Sequence, residues 1–272
     1  MEGFADMKEA LSVASETPLN SSYQVFKYLM KRGVGLSWDE KLGGDCVYSA
    51  NILKSMLEDQ GYEVRLLQAR NSTHAVVLAK SDGKLWLMDP FLMHEQPICL
   101  DHVRRVPEGI ASPAHPHNKG EKSEIVVIQA GPDEFDVTVR MVYEDLRTMT
   151  HINAFRFCLS DIGSGVQEDG SSFYAREKVE STQVRVLRGG EVFSIRHMIH
   201  ENSLVADRWS IDQDFFALSA RVNDPSSATT PEMLIETVLS SIASIIGVSE
   251  LQICETLFGA RDFYLNQDAF VD

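Results

Sequence analysis

Two runs rich in Val and Leu, HAVVLAK (74–80) and KLWLMD (84–89), stand on either side of Ser81-Asp82-Gly83. This feature restricts the fold most, because a short turn containing Asp-Gly between β-forming runs commits the chain to an antiparallel hairpin. Pairing across such a turn keeps the sum of partner numbers constant. If Ser81-Asp82 is central, His74 and Asp89 stand opposite one another; if Asp82-Gly83 is central, they are diagonal neighbours. Either register leaves the two on one face of the sheet. A three-residue loop would separate them unless a bulge restored the parity. The run EVRLLQA (63–69) precedes the hairpin as a further strand.

Upstream lies GGDCVYSANILKSMLEDQG (43–61), in which Cys46, Ala50, Leu53 and Leu57 step by four, three and four. That period predicts a helix that starts at the cysteine and ends near Gly61. A sulfur at a helix N-terminus faces unpaired backbone N–H groups and the positive end of the dipole, an environment that favours the nucleophilic thiolate. Such a nucleophile works with an imidazole that holds the proton and a carboxylate that orients the imidazole. His74 and Asp89 are the groups at the right places, with room for one helix and one strand between Cys46 and His74. Taken singly, each residue has a structural reading: a buried thiol, a strand-capping histidine, an aspartate ending a strand before Pro90. Their joint placement behind Gly43-Gly44 points instead to covalent catalysis by Cys46, His74 and Asp89.

The other candidates carry less. Cys46, Cys99, Cys158 and Cys254 are too sparse for a disulfide framework and lack the paired spacing of a zinc site. His115 with His117, and His197 with His200, have no third ligand at a readable spacing, so no metal is expected. Trp38, Trp86 and Trp209 read as core or pocket-wall aromatics. A net charge of −15 argues against a nucleic-acid partner, which would need clustered Lys and Arg. There is no apolar run of about 18 residues, and MEGFADMKEA lacks the pattern of a signal peptide, so no membrane partner and a cytoplasmic location are expected.

Along the rest of the chain, MKEALSVASE (7–16) and SSYQVFKYLMKRG (21–33) read as helices, the second stopped by Gly33. GIASPAHPHNKGEKSE (109–124) reads as a boundary or exposed loop. EIVVIQA, FDVTVRMVYE, TQVRVL and FSIRHMI follow as strands of a β layer or barrel. One C-terminal helix is expected, with Thr230 as N-cap, Pro231 at its first position, Gly247 past its end, and a buried stripe of Met233, Leu234, Thr237, Val238, Ser241, Ile242 and Ile245. The fold class is therefore α+β in three parts: a helical segment carrying the cysteine (1–62), a β-rich domain holding His74 and Asp89 (63–215), and a C-terminal α/β lid (216–272).

GGDC, Asn51, GYEVRLLQAR, HAVVLAK, KLWLMD and QPICL, within residues 41–100, resemble the corresponding motifs of the arylamine N-acetyltransferase family. That family belongs to the wider group with a transglutaminase-like Cys-His-Asp core and a cysteine-proteinase-like fold. The departures are Lys41-Leu42 where the family has Arg before Gly-Gly, Asn51 one residue late, and a shorter stretch between Cys46 and His74. Asp89-Pro90-Phe91-Leu92 also replaces a glycine-containing loop, and Asp-Pro is the form seen in transglutaminase-like enzymes. The resemblance implies an amide-forming acyltransferase that takes an acyl group from a thioester, acyl-CoA or an acyl carrier protein, onto Cys46 and passes it to a small-molecule amine. His74 would be the base and Asp89 the orienting acid, with Gly44, Tyr48 and Phe91 as oxyanion or pocket positions and no tightly bound cofactor. Arg104-Arg105, or Lys119 with Lys122, are candidates for an anion contact. The alternatives are a peptidase, amidase or transglutaminase using the same three residues, and a binding protein with a decayed site.

Overall fold

The computed structural model describes residues 2–33, 37–72, 74–115, 122–142, 149–162, 181–210, 217–223 and 232–265. In chain order the first elements are α1 (Glu2–Ser15), β1 (Leu19–Asn20), α2 (Tyr23–Lys31) and α3 (Cys46–Asp59). Strands β2 (Glu63–Gln68), β3 (Ala75–Ser81), β4 (Lys84–Met88) and β5 (Ile98–Cys99) lead to the single-turn α4 (Leu100–Val103). Next are β6 (Ile110–Pro113), β7 (Lys122–Gln129), β8 (Glu134–Val142) and β9 (Met149–Cys158). The last are β10 (Ser181–Arg188), β11 (Glu191–Met198), β12 (Ser203–Ser210), β13 (Ala217–Asn223), α5 (Glu232–Ile246) and α6 (Glu250–Leu265). Among the described residues the strands form three open antiparallel sheets, ordered β2-β3-β4-β5, β6-β7-β8-β9 and β1-β10-β11-β12-β13.

Two compact units result: Met1–Glu16 with Cys46–Gln167, and Thr17–Asp45 with Glu168–Asp272. The expected division at 62/63 and 215/216 follows the order of elements along the chain, whereas compactness groups α1 and α3 with the first two sheets. Residues 109–124, expected as a boundary or an exposed loop, lie within the first unit. Ile110–Pro113 is a strand paired to β7, with Pro113 opposite Glu124. Proline, which has no N–H to donate, is tolerated there because β6 is an edge strand.

The first unit is layered around β3, whose residues Ala75–Ala79 are all buried. Alternation sends its side chains to two cores. Val77 and Ala79 pack with Met7, Ala10, Leu11 and Ala14 of α1 and with Ala50, Leu53 and Leu57 of α3. Val76 and Leu78 join Leu87 and the apolar faces of β7, β8 and β9, including Val127, Val137 and Phe157. His74 has the parity of Val76 and Leu78, and Asp89 that of Leu87. The hairpin register is the second of those expected: Ser81 pairs with Lys84 and Val77 with Met88. Asp82 and Gly83, at φ 51° and 70°, form the two-residue loop that matches strand twist. His74 and Asp89 are thus diagonal neighbours just beyond the paired residues.

In the second unit, Val184, Ile195 and Ala206 are cross-strand partners on the face that packs against α5 and α6. Of the expected stripe of α5, Val238 and Ile242 are buried and Leu234 and Ile245 partly so, and Ile235 and Ile246 join them. Met233 is 71% exposed, and the Thr237 and Ser241 hydroxyls donate to the Met233 and Thr237 carbonyls on the exposed side. Thr230 and Pro231 lie outside the described residues. Helix α6 was not expected, because exposed Leu251, buried Thr256 and the internal Gly259 blur its period. No single helix among the described residues is long and apolar enough to cross a membrane.

Gly43 follows a 3₁₀ turn, Glu40–Leu42, that Asp39 caps by accepting the Lys41 N–H at 3.0 Å. Its φ of 70° with ψ −149° is open to glycine, and a Cβ there would stand 1.8 Å from the Pro18 carbonyl oxygen. The Gly-Gly pair lets the chain run against residues 18–20, where the Asn20 N–H donates to the Gly44 carbonyl at 2.7 Å. Gly43→Ala is expected to cost roughly 3 kcal/mol or more, strain and overlap together. Gly33→Ala, where φ is also positive but nothing lies within 4 Å, should cost about 1 kcal/mol. Urea unfolding of both variants measures the difference, and equal losses would refute the close approach.

Candidate active site

Cys46 opens α3 and is partly exposed, so its sulfur lies beside first-turn N–H groups that have no intrahelical acceptor. His74 and Asp89 are brought together by the hairpin, with Nε2 of His74 2.5 Å from Oδ2 of Asp89. His74 is 4% exposed and Asp89 fully buried. Cys46 is close enough to the His74 ring to contribute to the rise in its pKa. With Nε2 committed to Asp89, Nδ1 is the nitrogen left for the sulfur. All three expected residues therefore meet within the first unit.

Burial by itself would make His74 less basic, but the charge and hydrogen bond of Asp89, helped by Cys46, outweigh it and raise the pKa to about 10. Among the described residues three Phe rings, the most distant Phe157 at 6.3 Å, surround the imidazole. Phe155 of β9 stacks on it with centroids 4.1 Å apart and planes at 27°, and Phe91 meets it edge-on at 5.2 Å. A flat π-face over imidazolium is electrostatically favourable. The second carboxylate oxygen of Asp89 accepts the Leu92 N–H at 3.3 Å, which caps the 3₁₀ turn Pro90–Leu92.

Sequence reasoning missed Phe155 and His94. Phe155 is far along the chain, and its only signal is the alternation with buried Phe157. His94 has a nearer signal, as the last residue of Asp89-Pro90-Phe91-Leu92-Met93-His94. The 3₁₀ turn and the left-handed Met93, φ 50°, reverse the chain and return His94 to Asp89. His94 Nε2 accepts the Asp89 backbone N–H at 2.7 Å, and burial lowers its pKa to about 4.

Of the remaining candidates, Phe91 stands at the imidazole and Tyr48 is half-buried in the first turn of α3. The Gly44 N–H donates to the Pro18 carbonyl at 3.1 Å. Arg104 is flanked by Asp101 at 3.7 Å and Asp133 at 3.6 Å, which offsets its charge. Lys119 and His117 lie outside the described residues. His115 pairs with Glu95, and His197 with Asn202. Among the described residues no group of three or more His, Cys, Asp or Glu is placed to hold a metal ion.

Cys99 and Cys158 are buried, while burial and nearby Glu250 and Glu255 raise the pKa of Cys254. Iodoacetamide at neutral pH should therefore modify Cys46 well before the other three, as read by peptide mass spectrometry. Comparable rates at all four would contradict the site. A second expectation concerns stability. Because the folded-state pKa of His74 is raised, its contribution is fully present below the unfolded value of 6.5 and lost as pH rises through about 10. The stability gap between the parent protein and His74→Gln should narrow between pH about 6 and about 11 in urea unfolding. A gap that widens with pH would contradict the ion pair.

No protein-family model matches the sequence, and no curated protein matches it. In fold, the chain is similar to a solved structure described as arylamine N-acetyltransferase C from Bacillus anthracis. The TM-score is 0.52 at 11% identity, with 88% of this chain and 91% of that one covered. At that identity the likeness is one of fold: this chain shares its mixed helix and antiparallel-sheet architecture with an arylamine N-acetyltransferase.

Proposed function

We propose that this chain is an amide-forming acyltransferase working through an acyl-cysteine intermediate. The observation that supports it is one chain of neighbours: Cys46 beside the His74 ring, and His74 Nε2 2.5 Å from buried Asp89. In the first half-reaction the Cys46 sulfur attacks the thioester carbonyl, forming an S–C bond. The carbonyl oxygen becomes an oxyanion, for which backbone N–H groups at the start of α3 are the proposed donors. Collapse breaks the C–S bond to the leaving thiol, which takes the proton from the His74 imidazolium. In the second half-reaction an amine attacks the acyl-cysteine, His74 accepts the amine proton, and the amide leaves as the Cys46 sulfur is released. Asp89 orients the imidazole and balances its charge throughout.

The proposed donor is acyl-CoA or an acyl carrier protein, and the proposed acceptor a small amine. A net charge of −15 disfavours an acidic carrier protein as the donor. A second reading, a transglutaminase-like peptidase or amidase, uses the same residues and draws on Asp89-Pro90, which here caps a 3₁₀ turn in place of a glycine-containing loop.

Incubation with a panel of acyl-CoA thioesters followed by intact-mass analysis should reveal one acyl adduct, absent in Cys46→Ala. Peptide cleavage or crosslinking with no acyl adduct from any thioester would favour the second reading. Asp89→Asn should still acylate, but single-turnover rates should fall by roughly a hundred- to ten-thousandfold. Asp89→Asn at the parental rate while folded would reduce the site to a Cys-His pair.

A further inference from the structure

We infer that His94 is a positioning residue: as a neutral hydrogen-bond acceptor for the Asp89 backbone N–H, it fixes the aspartate that orients His74. The inference rests on the reading of Asp89 as the orienting acid. The β3–β4 ladder ends at Val77 opposite Met88, so Asp89 stands one residue beyond the last pair. Its N–H, in a fully buried residue, would be left without an acceptor. The bond from that N–H to His94 Nε2, 2.7 Å long, takes the place of the missing ladder bond. The carboxylate is already spent, one oxygen on His74 and the other on the Leu92 N–H. Three directions of Asp89 are thus held at once, and His94 sets the one that aims the peptide plane.

The chain around His94 is itself pinned. The Met93 N–H donates to the Pro90 carbonyl at 3.1 Å, the Glu95 N–H to the Pro113 carbonyl at 2.9 Å, and His94 forms an isolated bridge with Ala114. An acceptor at Nε2 requires the neutral tautomer with its hydrogen on Nδ1, a buried nitrogen that meets no hydrogen-bond partner of full geometry. His94 is 2% exposed, and burial keeps it neutral above pH about 4, while His74 stays charged up to about 10. The two histidines flanking Asp89 therefore do opposite work: one donates to its carboxylate, the other accepts from its backbone.

The test is a ¹⁵N-histidine NMR titration of His74 in the parent protein, His94→Leu, His94→Met and His94→Gln. Leu and Met fill the space without a strong acceptor, while Gln keeps a carbonyl oxygen. Loss of the acceptor should move the His74 midpoint down by about one unit or more, and Gln should restore most of it. Single-turnover acylation should fall roughly ten- to a hundredfold in the Leu and Met variants with little change in thioester KM, and recover in Gln. A folded Leu or Met variant with the parental His74 midpoint overturns the inference, as does an equal loss in Gln. If neither apolar variant folds, the parent protein decides: ¹⁵N shifts at neutral pH must show His94 unprotonated at Nε2, and a hydrogen there refutes the acceptor role. The titration needs no acyl donor, so failure of every thioester to acylate Cys46 would sink the acyltransferase reading without deciding this one.

Discussion

Two ionisable side chains with almost no access to water, His74 and Asp89, meet at 2.5 Å. Either alone would carry a large desolvation cost at that depth, and removing one partner leaves the other charged and unpaired. The pair is sustained because each polar direction around it has a partner. Asp89 uses both oxygens and its N–H, while His74 uses one nitrogen for Asp89 and its other side for Cys46. The same dryness that makes the pair costly makes it strong, since burial works against imidazolium and the carboxylate still wins.

The scaffold places this pair by parity and register. A two-residue Asp82-Gly83 loop sets the hairpin sum, alternation along β3 and β4 then puts His74 and Asp89 on one face, and the buried strand β3 is held between helices and a second sheet. Slipping that register by one residue would turn both side chains to the opposite face. Beyond the ladder, Pro90 and the left-handed Met93 turn the chain back on itself, so the segment after Asp89 supplies groups that hold it. The fold likeness to an arylamine N-acetyltransferase adds a known architecture to this local account.

The hairpin, the helix starting at Cys46 and the shared face of His74 and Asp89 were legible in the sequence because each depends on neighbours within a few residues: a turn dipeptide, a four-three-four period, a strand parity. What escaped depends on contacts between distant segments or on a weak period. Phe155 reaches the imidazole from β9, and its alternation with Phe157 marks it as buried without saying what it meets. His94 was legible in principle, but only once the 3₁₀ turn was known to reverse the chain. The stripe of α5 was legible at Val238 and Ile242 but overextended to Thr237 and Ser241, which satisfy their hydroxyls on the helix itself, and α6 hides behind Leu251 and Gly259. Gly43-Gly44 was read as part of the catalytic signature; its observed role is backbone passage beside Pro18, with the Gly44 N–H already bonded.

The central claim is that an imidazolium at His74 joins Cys46 to an ionised Asp89 in a dry site. Neutron diffraction from a deuterium-exchanged crystal at neutral pH locates those protons directly. The account predicts deuterium on both ring nitrogens of His74 and none on either oxygen of Asp89. A deuteron on the Asp89 carboxyl, or a His74 ring turned away from the Cys46 sulfur, would contradict it.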